Sequence, residues 1–240
     1  MTSKNEPQYY EVTLGKITDF GNDTREFRLD FDAGRTMEFT AGQFVSVVVP
    51  RDGKVIRRAY SIASPPERKD HLDLIVKLVQ GGVVTNWFWS LKEGARFRVH
   101  GPFGKFILPE PIDFDPVFVA VGTGIAPFRS MIWHLYQEGF SRKIQLLFGT
   151  RYDTQIPYHE EWLEFARRQP GFTYIPTISR PDPGWKGETG YVQTKIEKLF
   201  GEPRGKRVYI CGLNEMIQAV EAACQKVGYN KQQISYEKYD

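Results

Sequence analysis

With 240 residues, 41% of them apolar, the chain has the material for one large or two modest packed cores. A net charge of +3 with acids and bases interspersed argues against nucleic-acid binding, and two cysteines, Cys211 and Cys224, are too few for the four thiolates of an ordinary iron–sulfur cluster. No apolar run has the length of a membrane-spanning helix and residues 1–6 lack the apolar core of a secretion signal, so the expectation is a cytoplasmic protein with reduced thiols and no membrane span.

The first hundred residues read as short strands. Residues 10–14 and 26–31 alternate apolar and polar side chains, and 43–49 are rich in β-branched residues and stop at Pro50. Asp52-Gly53 signals a turn into a strand over 58–62, and 71–77 alternates again. This spacing predicts a closed antiparallel barrel, interrupted by one helix over 84–91 that opens after Gly81-Gly82. Pro109, Pro111 and Pro116 around Asp113-Phe114-Asp115 predict a linker. Beyond it the pattern changes. Residues 117–121 are an unbroken apolar run, as in a strand buried on both faces, and a helix ending near Gly139 follows. Strands at 144–148, 172–177 and 207–211 then alternate with helices at 158–168, 192–199 and 214–227, which specifies a parallel α/β sheet. The predicted fold class is therefore two-domain, an antiparallel β-barrel over 1–110 and an α/β parallel-sheet nucleotide-binding domain over 111–240.

Two motifs carry the chemistry. Arg58-Ala59-Tyr60-Ser61 lies on a strand, so Arg58 and Tyr60 share one face and Ser61 points to the other. A cation beside an aromatic suits a phosphate and a stacked ring, although the same tetrapeptide also occurs as a plain exposed strand end. About sixty residues on, Gly122-Thr123-Gly124-Ile125-Ala126-Pro127 joins the apolar strand to a helix N-terminus, the arrangement that lets backbone approach a pyrophosphate. Pro127 replaces the third glycine of the ordinary dinucleotide fingerprint, and it is tolerated where the first helical turn has no N–H partner to lose. Gly82-Val83-Val84-Thr85 forms a further turn before a helix, either a phosphate cradle or an ordinary N-cap by Thr85.

The order and spacing of these motifs, with Gly101-Pro102-Phe103-Gly104 between them and Cys211-Gly212 after, resemble the ferredoxin–NADP reductase superfamily over nearly the whole chain. The resemblance implies a flavoenzyme that binds FAD in the barrel and NADPH or NADH in the second domain. It implies that Arg58 binds flavin phosphate, that Tyr60 packs on the isoalloxazine, that Ser61 approaches N5, and that Ala59, Val76, Lys77 and the turn Gly82, Val83, Val84 and Thr85 complete the flavin site. Thr123, Gly124 and Pro127 would receive the nicotinamide nucleotide, with Cys211 and Gly212 against the nicotinamide as shaping contacts. Glu237, in the tail Tyr236-Glu237-Lys238-Tyr239, would relay protons for N5 through Ser61; the same tail also reads as a solvated end.

The second strand of the α/β half ends Gly149-Thr150-Arg151, without the acidic ribose clamp of NAD enzymes. Ser179-Arg180 and Tyr191 match the residues that hold the 2′-phosphate of NADPH in plant-type members, with Arg151 as a further candidate. Thr189 stands where a second arginine belongs in that pattern, and Trp185-Lys186-Gly187 resembles members that use NADH. Ser61, Cys211 and Glu237 are thus the candidate catalytic residues, and no metal site is expected. The resemblance implies electron flow from NAD(P)H through FAD to a separate ferredoxin- or flavodoxin-type carrier, and Lys54, Arg57 and Arg58 near one loop favour an acidic protein partner. The alternatives are an NAD(P)H:flavin or ferric reductase with diffusible acceptors, or an electron-transfer subunit of a larger complex.

Overall fold

The computed structural model describes residues 7–239, which divide into two compact units. One contains the chain up to Leu108 together with Ala126–Glu138; the other contains Pro109–Ile125 and Gly139 onward.

The first unit is a six-stranded antiparallel sheet. Its strands are β1 (Gln8–Asp19), β2 (Thr24–Phe31), β3 (Phe44–Arg51), β4 (Lys54–Ser61), β5 (His71–Lys77) and β6 (Arg96–Phe103), in the spatial order β4-β3-β6-β1-β2-β5. The sheet curls until an antiparallel bridge joins Ile62, just past β4, to Leu74 of β5, bringing the two edge strands together. Alternation drives the curl: inward residues such as Val12, Leu14, Phe27, Leu29 and Val47 are fully buried. The helix α1 (Val83–Ser90) adds Val84 and Phe88 to that core. Asp52 and Gly53 both take positive φ, +50° and +72°, the two-residue turn whose twist matches the flanking strands β3 and β4. The strand β6 has no counterpart among the predicted elements, because basic residues alternate with its apolar ones and Gly101-Pro102 reads as a break. The Gly101–Phe103 segment ends that strand.

In the second unit β7 (Asp115–Val121), β8 (Ile144–Thr150), β9 (Phe172–Ile178), β10 (Glu188–Thr189), β11 (Lys206–Gly212) and β12 (Ile234–Lys238) form a sheet in the order β10-β9-β8-β7-β11-β12. Its neighbouring strands all run parallel. The helix α2 (Ile125–Gln137) follows β7 through a single 3-10 turn, Gly122–Gly124. The helices α3 (His159–Arg168), α4 (Ile196–Phe200) and α5 (Asn214–Lys226) complete the chain. Ile196, Phe200, Ile217 and Val220 cover one face of β7, β8 and β11, while Trp162 and Phe165 of α3 meet Phe172 of β9. The predicted helix over 192–199 is split, a 3-10 turn at Val192–Lys195 passing into the short α4.

Two expectations change. The acidic segment before β7 is no plain linker: Phe114 is 3% exposed, stacks on Tyr209 at 6.2 Å, and carries the Arg207 guanidinium over its ring. Asp115 opens β7 and pairs with Arg142 Nε at 3.0 Å. Pro116 fits inside β7 because the pairing with β8 starts one residue later, at Val117, so that ladder loses no N–H donor. The second change is the tail. Residues 234–238 form β12, in register with β11 from Val208 to Gly212.

Candidate active site

β4 brings the first motif to its end. Tyr60 turns inward, edge-on to Phe88 of α1 at 5.3 Å, and burial pushes its hydroxyl pKa up to about 12 against the opposing charge of Arg58. Its ring is therefore neutral at any physiological pH and presents a flat apolar surface. Arg58 is exposed, its Nη1 donating to the neighbouring Arg57 carbonyl at 2.9 Å, and Ala59 is exposed beside it. Ser61 pairs with Phe44 of β3 and is 5% exposed.

The turn into α1 has the form of an anion cradle. Gly82 is the residue before the helix, and no side chain caps it. The first intrahelical bond is Asn86 N–H to Gly82 O at 3.0 Å, so the N–H groups of Val83, Val84 and Thr85 have no acceptor within the helix. The N-cap alternative for Thr85 is not observed: Thr85 is the third helical residue, and its hydroxyl bonds the Val79 and Gly82 carbonyls at 3.3 Å each. A Cβ on Gly82 would lie 2.6 Å from that hydroxyl, so a larger residue there would have to displace it. Val76 and Val84 are core residues and can offer a ligand only backbone; the Lys77 ammonium lies 3.2 Å from Asp23 Oδ2.

In the second unit, Gly122 takes φ +54°, and a Cβ on Gly124 would collide with the Cys211 carbonyl, so only glycine lets this turn pass over β11. Thr123 is half-buried between them, and Pro127 is buried in the first turn of α2. On the β11 side, Cys211 is fully buried and faces Glu237 of β12 in register. Burial first, then the Glu237 charge, pushes its thiol pKa well up, partly offset by a hydrogen bond from Tyr239. Cys211 is thus a neutral thiol, suited to shaping a pocket and unsuited to nucleophilic attack. The Tyr239 N–H donates to the Gly212 carbonyl at 3.0 Å, so the tail is tied down through Tyr239 as well as through β12.

At the other end of the sheet, Ser179 N–H donates to Thr150 O at 3.1 Å and Arg180 N–H to Arg151 O at 2.9 Å. Two arginines therefore leave adjacent strand ends side by side. Tyr191 is 65% exposed and follows β10, whose Glu188 is gripped by Lys195 and Lys198 at 2.9 and 2.8 Å. Those two lysines hold the Glu188 carboxyl down at about 2. Among the described residues, Glu67, His134 and Glu138 place ligand-type atoms within 4.8 Å of one another, but both glutamates are exposed and Glu67 already pairs with His134 at 2.6 Å. The register of Glu237 against Cys211 and the Tyr239 bond escaped the sequence reading, because a five-residue strand at a polar chain end carries almost no periodic signal.

The family of oxidoreductase FAD-binding domains matches residues 11–107, and that of oxidoreductase NAD-binding domains matches 118–222. "Ferredoxin--NADP reductase B" of Sorangium cellulosum is 34% identical over 238 residues, covering 96% of this chain and 98% of that protein. The chain belongs to the ferredoxin–NADP reductase superfamily. The reductase component of phenol 2-monooxygenase from a Pseudomonas strain is 34% identical over 215 residues, and the match spans 60% of that protein. A cytochrome P450 reductase from Amycolatopsis, known from its crystal structure, is 30% identical with a TM-score of 0.87, over 97% of this chain and 70% of that one. This superfamily member is a flavoenzyme of NAD(P)H oxidation, with an FAD-binding and an NAD-binding part. The donors fit the cofactor: an exposed arginine, a neutral aromatic face and three orphaned N–H groups occur within one unit. No helix is long and apolar enough to cross a membrane among the described residues.

Proposed function

We propose that the enzyme takes a hydride from NADPH and passes the two electrons singly to a separate ferredoxin- or flavodoxin-type carrier. The observation that carries this reading is the end-to-end match to a relative named as a ferredoxin–NADP reductase, in a chain with only two cysteines to ligate any cluster of its own. Bound FAD supplies the hydride acceptor and the conversion from two-electron to one-electron chemistry. The chain's residues do the rest. Arg58 and the N–H groups of Val83, Val84 and Thr85 hold the pyrophosphate, Tyr60 flanks the ring, and Ala59, Val76 and Lys77 contribute backbone. Ser61 holds a hydrogen bond at the N5 edge and Glu237 relays away, through it, the N5 proton released when the electrons leave. Thr123, Gly124 and Pro127 seat the nicotinamide nucleotide, with Cys211 and Gly212 against its ring, and Arg151, Ser179, Arg180 and Tyr191 take the 2′-phosphate end. The flavin half is residues 1–110 and the nicotinamide half 111–240. The site of action is the cytoplasm, in keeping with two buried free thiols, and no nucleic acid takes part.

The test is to release and identify the flavin of the purified yellow protein, then to follow NADPH oxidation with ferredoxin, flavodoxin, free FMN and a ferric chelate as acceptors. The expected result is FAD and the highest kcat/KM with a carrier protein. Faster turnover with FMN or ferric chelate would establish the diffusible-acceptor reading instead. Activity only with an oxygenase component would establish the subunit reading, which the phenol 2-monooxygenase relative favours.

Coenzyme choice gives a separate expectation. A charge-assisted hydrogen bond to the 2′-phosphate contributes roughly 1.5–3 kcal/mol, about ten- to a hundredfold in affinity. Arg180→Ala is expected to raise KM for NADPH by that factor and to leave KM for NADH nearly unchanged, and the parent enzyme is expected to prefer NADPH with measurable NADH activity. Equal losses with both coenzymes would show that Arg180 does not read the 2′-phosphate.

A further inference from the structure

α2 presents a run of buried apolar residues, Ile125, Ala126, Phe128, Met131, Ile132 and Leu135, interrupted by a cation, Arg129, whose side chain is 15% exposed. A charge is taken out of water only where partners await it. Here the partners lie just downstream of Ser61. Ile62, Ala63 and Ser64 are fully buried and leave the sheet in an irregular path. The Ile62 N–H donates to Gln43 O at 3.0 Å, the Ala63 N–H to Asp73 O at 2.8 Å, and the Ser64 hydroxyl accepts from the Asp73 N–H at 3.1 Å. The Ala63 carbonyl accepts from Arg129 Nη1 at 3.2 Å. The same nitrogen lies 3.1 Å from Asp73 Oδ2, whose side chain is 12% exposed, and the other Asp73 oxygen is 3.8 Å from His71 Nε2.

We propose that Arg129 is a positioning residue for Ser61: its guanidinium, held by Asp73, fixes the buried Ala63 carbonyl and through it the last residues of β4. This rests on the reading that Ser61 bonds the N5 edge of the flavin. Ala63 is two residues from Ser61, so a carbonyl that loses its donor turns to find another and carries the strand end with it. Asp73 makes the anchor rigid because it holds this segment twice directly, through its own carbonyl and its N–H, and a third time through Arg129, which its carboxylate holds. An apolar residue at 129 would pack against α2's neighbours equally well and leave both the carbonyl and the carboxylate unanswered.

The test is a double-mutant cycle on the holoenzyme, read as the limiting rate of flavin reduction by saturating NADPH in stopped flow, with FAD content and melting temperature as controls. Displacing a positioned group by a fraction of an ångström costs one to two orders of magnitude, so Arg129→Met is expected to slow reduction at least about tenfold with KM for NADPH little changed. Ser61→Ala is expected to slow it further, and the double variant to be no slower than Ser61→Ala, because once the hydroxyl is gone its positioning no longer matters. Arg129→Lys, which keeps the charge and one donor, should recover part of the rate. Losses that multiply in the double variant, or an Arg129→Met enzyme as fast as the parent beside a slow Ser61→Ala, would overturn the inference and leave the role of Ser61 standing. A Ser61→Ala enzyme as fast as the parent would instead remove that role, and the positioning inference with it. If Arg129→Met does not fold, Asp73→Asn, which keeps the side-chain shape and removes the charge that holds Arg129, completes the cycle with the same expected pattern.

Discussion

Ser61→Ala is expected to slow the reduction of bound FAD by NADPH about a hundredfold while FAD stays bound, since a positioned group in proton or hydrogen-bond contact with the reacting atoms contributes about 10²–10⁴ in rate. The effect is large because the site is dry. Ser61 is 5% exposed at the end of β4, and the residues that follow it are fully buried, so water has little room to replace the missing hydroxyl. FAD is expected to stay because the groups assigned to its phosphates and ring, on Arg58, Tyr60 and the turn before α1, do not depend on that hydroxyl. Glu237→Gln should have a smaller effect, as a residue one step removed from the reacting atoms. Stopped-flow traces of the bleaching of the oxidised flavin's colour give the rate directly. Unchanged traces would exclude a catalytic role for Ser61.

The second large effect is expected at Arg58. Its guanidinium is exposed and its hydrogen bond runs to the carbonyl of its neighbour Arg57, so Arg58→Ala is expected to leave the fold intact. What it removes is a cation for the flavin phosphate. Losing one charge-assisted bond of roughly 1.5–3 kcal/mol raises the FAD dissociation constant about ten- to a hundredfold. The variant should therefore fold, lose its yellow colour on ultrafiltration and regain it with excess FAD. Retention of FAD at the parent's affinity would show that the α1 turn alone binds the pyrophosphate. The two variants separate binding from chemistry: Arg58→Ala acts on the dissociation constant, and Ser61→Ala on the rate at full occupancy.

The sequence by itself determined the architecture and supplied the motifs on which the candidate site is proposed. Period-two alternation in 10–14 and 26–31 and the apolar run at 117–121 each rest on interactions between residues close in the chain, and such signals survive in one dimension. The motif spacing named the family for the same reason. The elements that failed to appear were those whose order comes from distant partners. β6 carries Arg96 and Arg98 among its apolar residues and is a strand because β1 and β3 flank it; β12 is a polar tail held by β11; Phe114 is buried because Tyr209 and Arg207 meet it. The tertiary structure alone decided the rest. Arg129 sits 56 residues from Asp73 and 66 from Ala63 along the chain, Glu237 sits opposite Cys211, and Gly124 must be glycine because β11 passes against it. A buried charge or a close backbone approach is set by what surrounds it, and those surroundings exist only once strands far apart in sequence have been brought side by side.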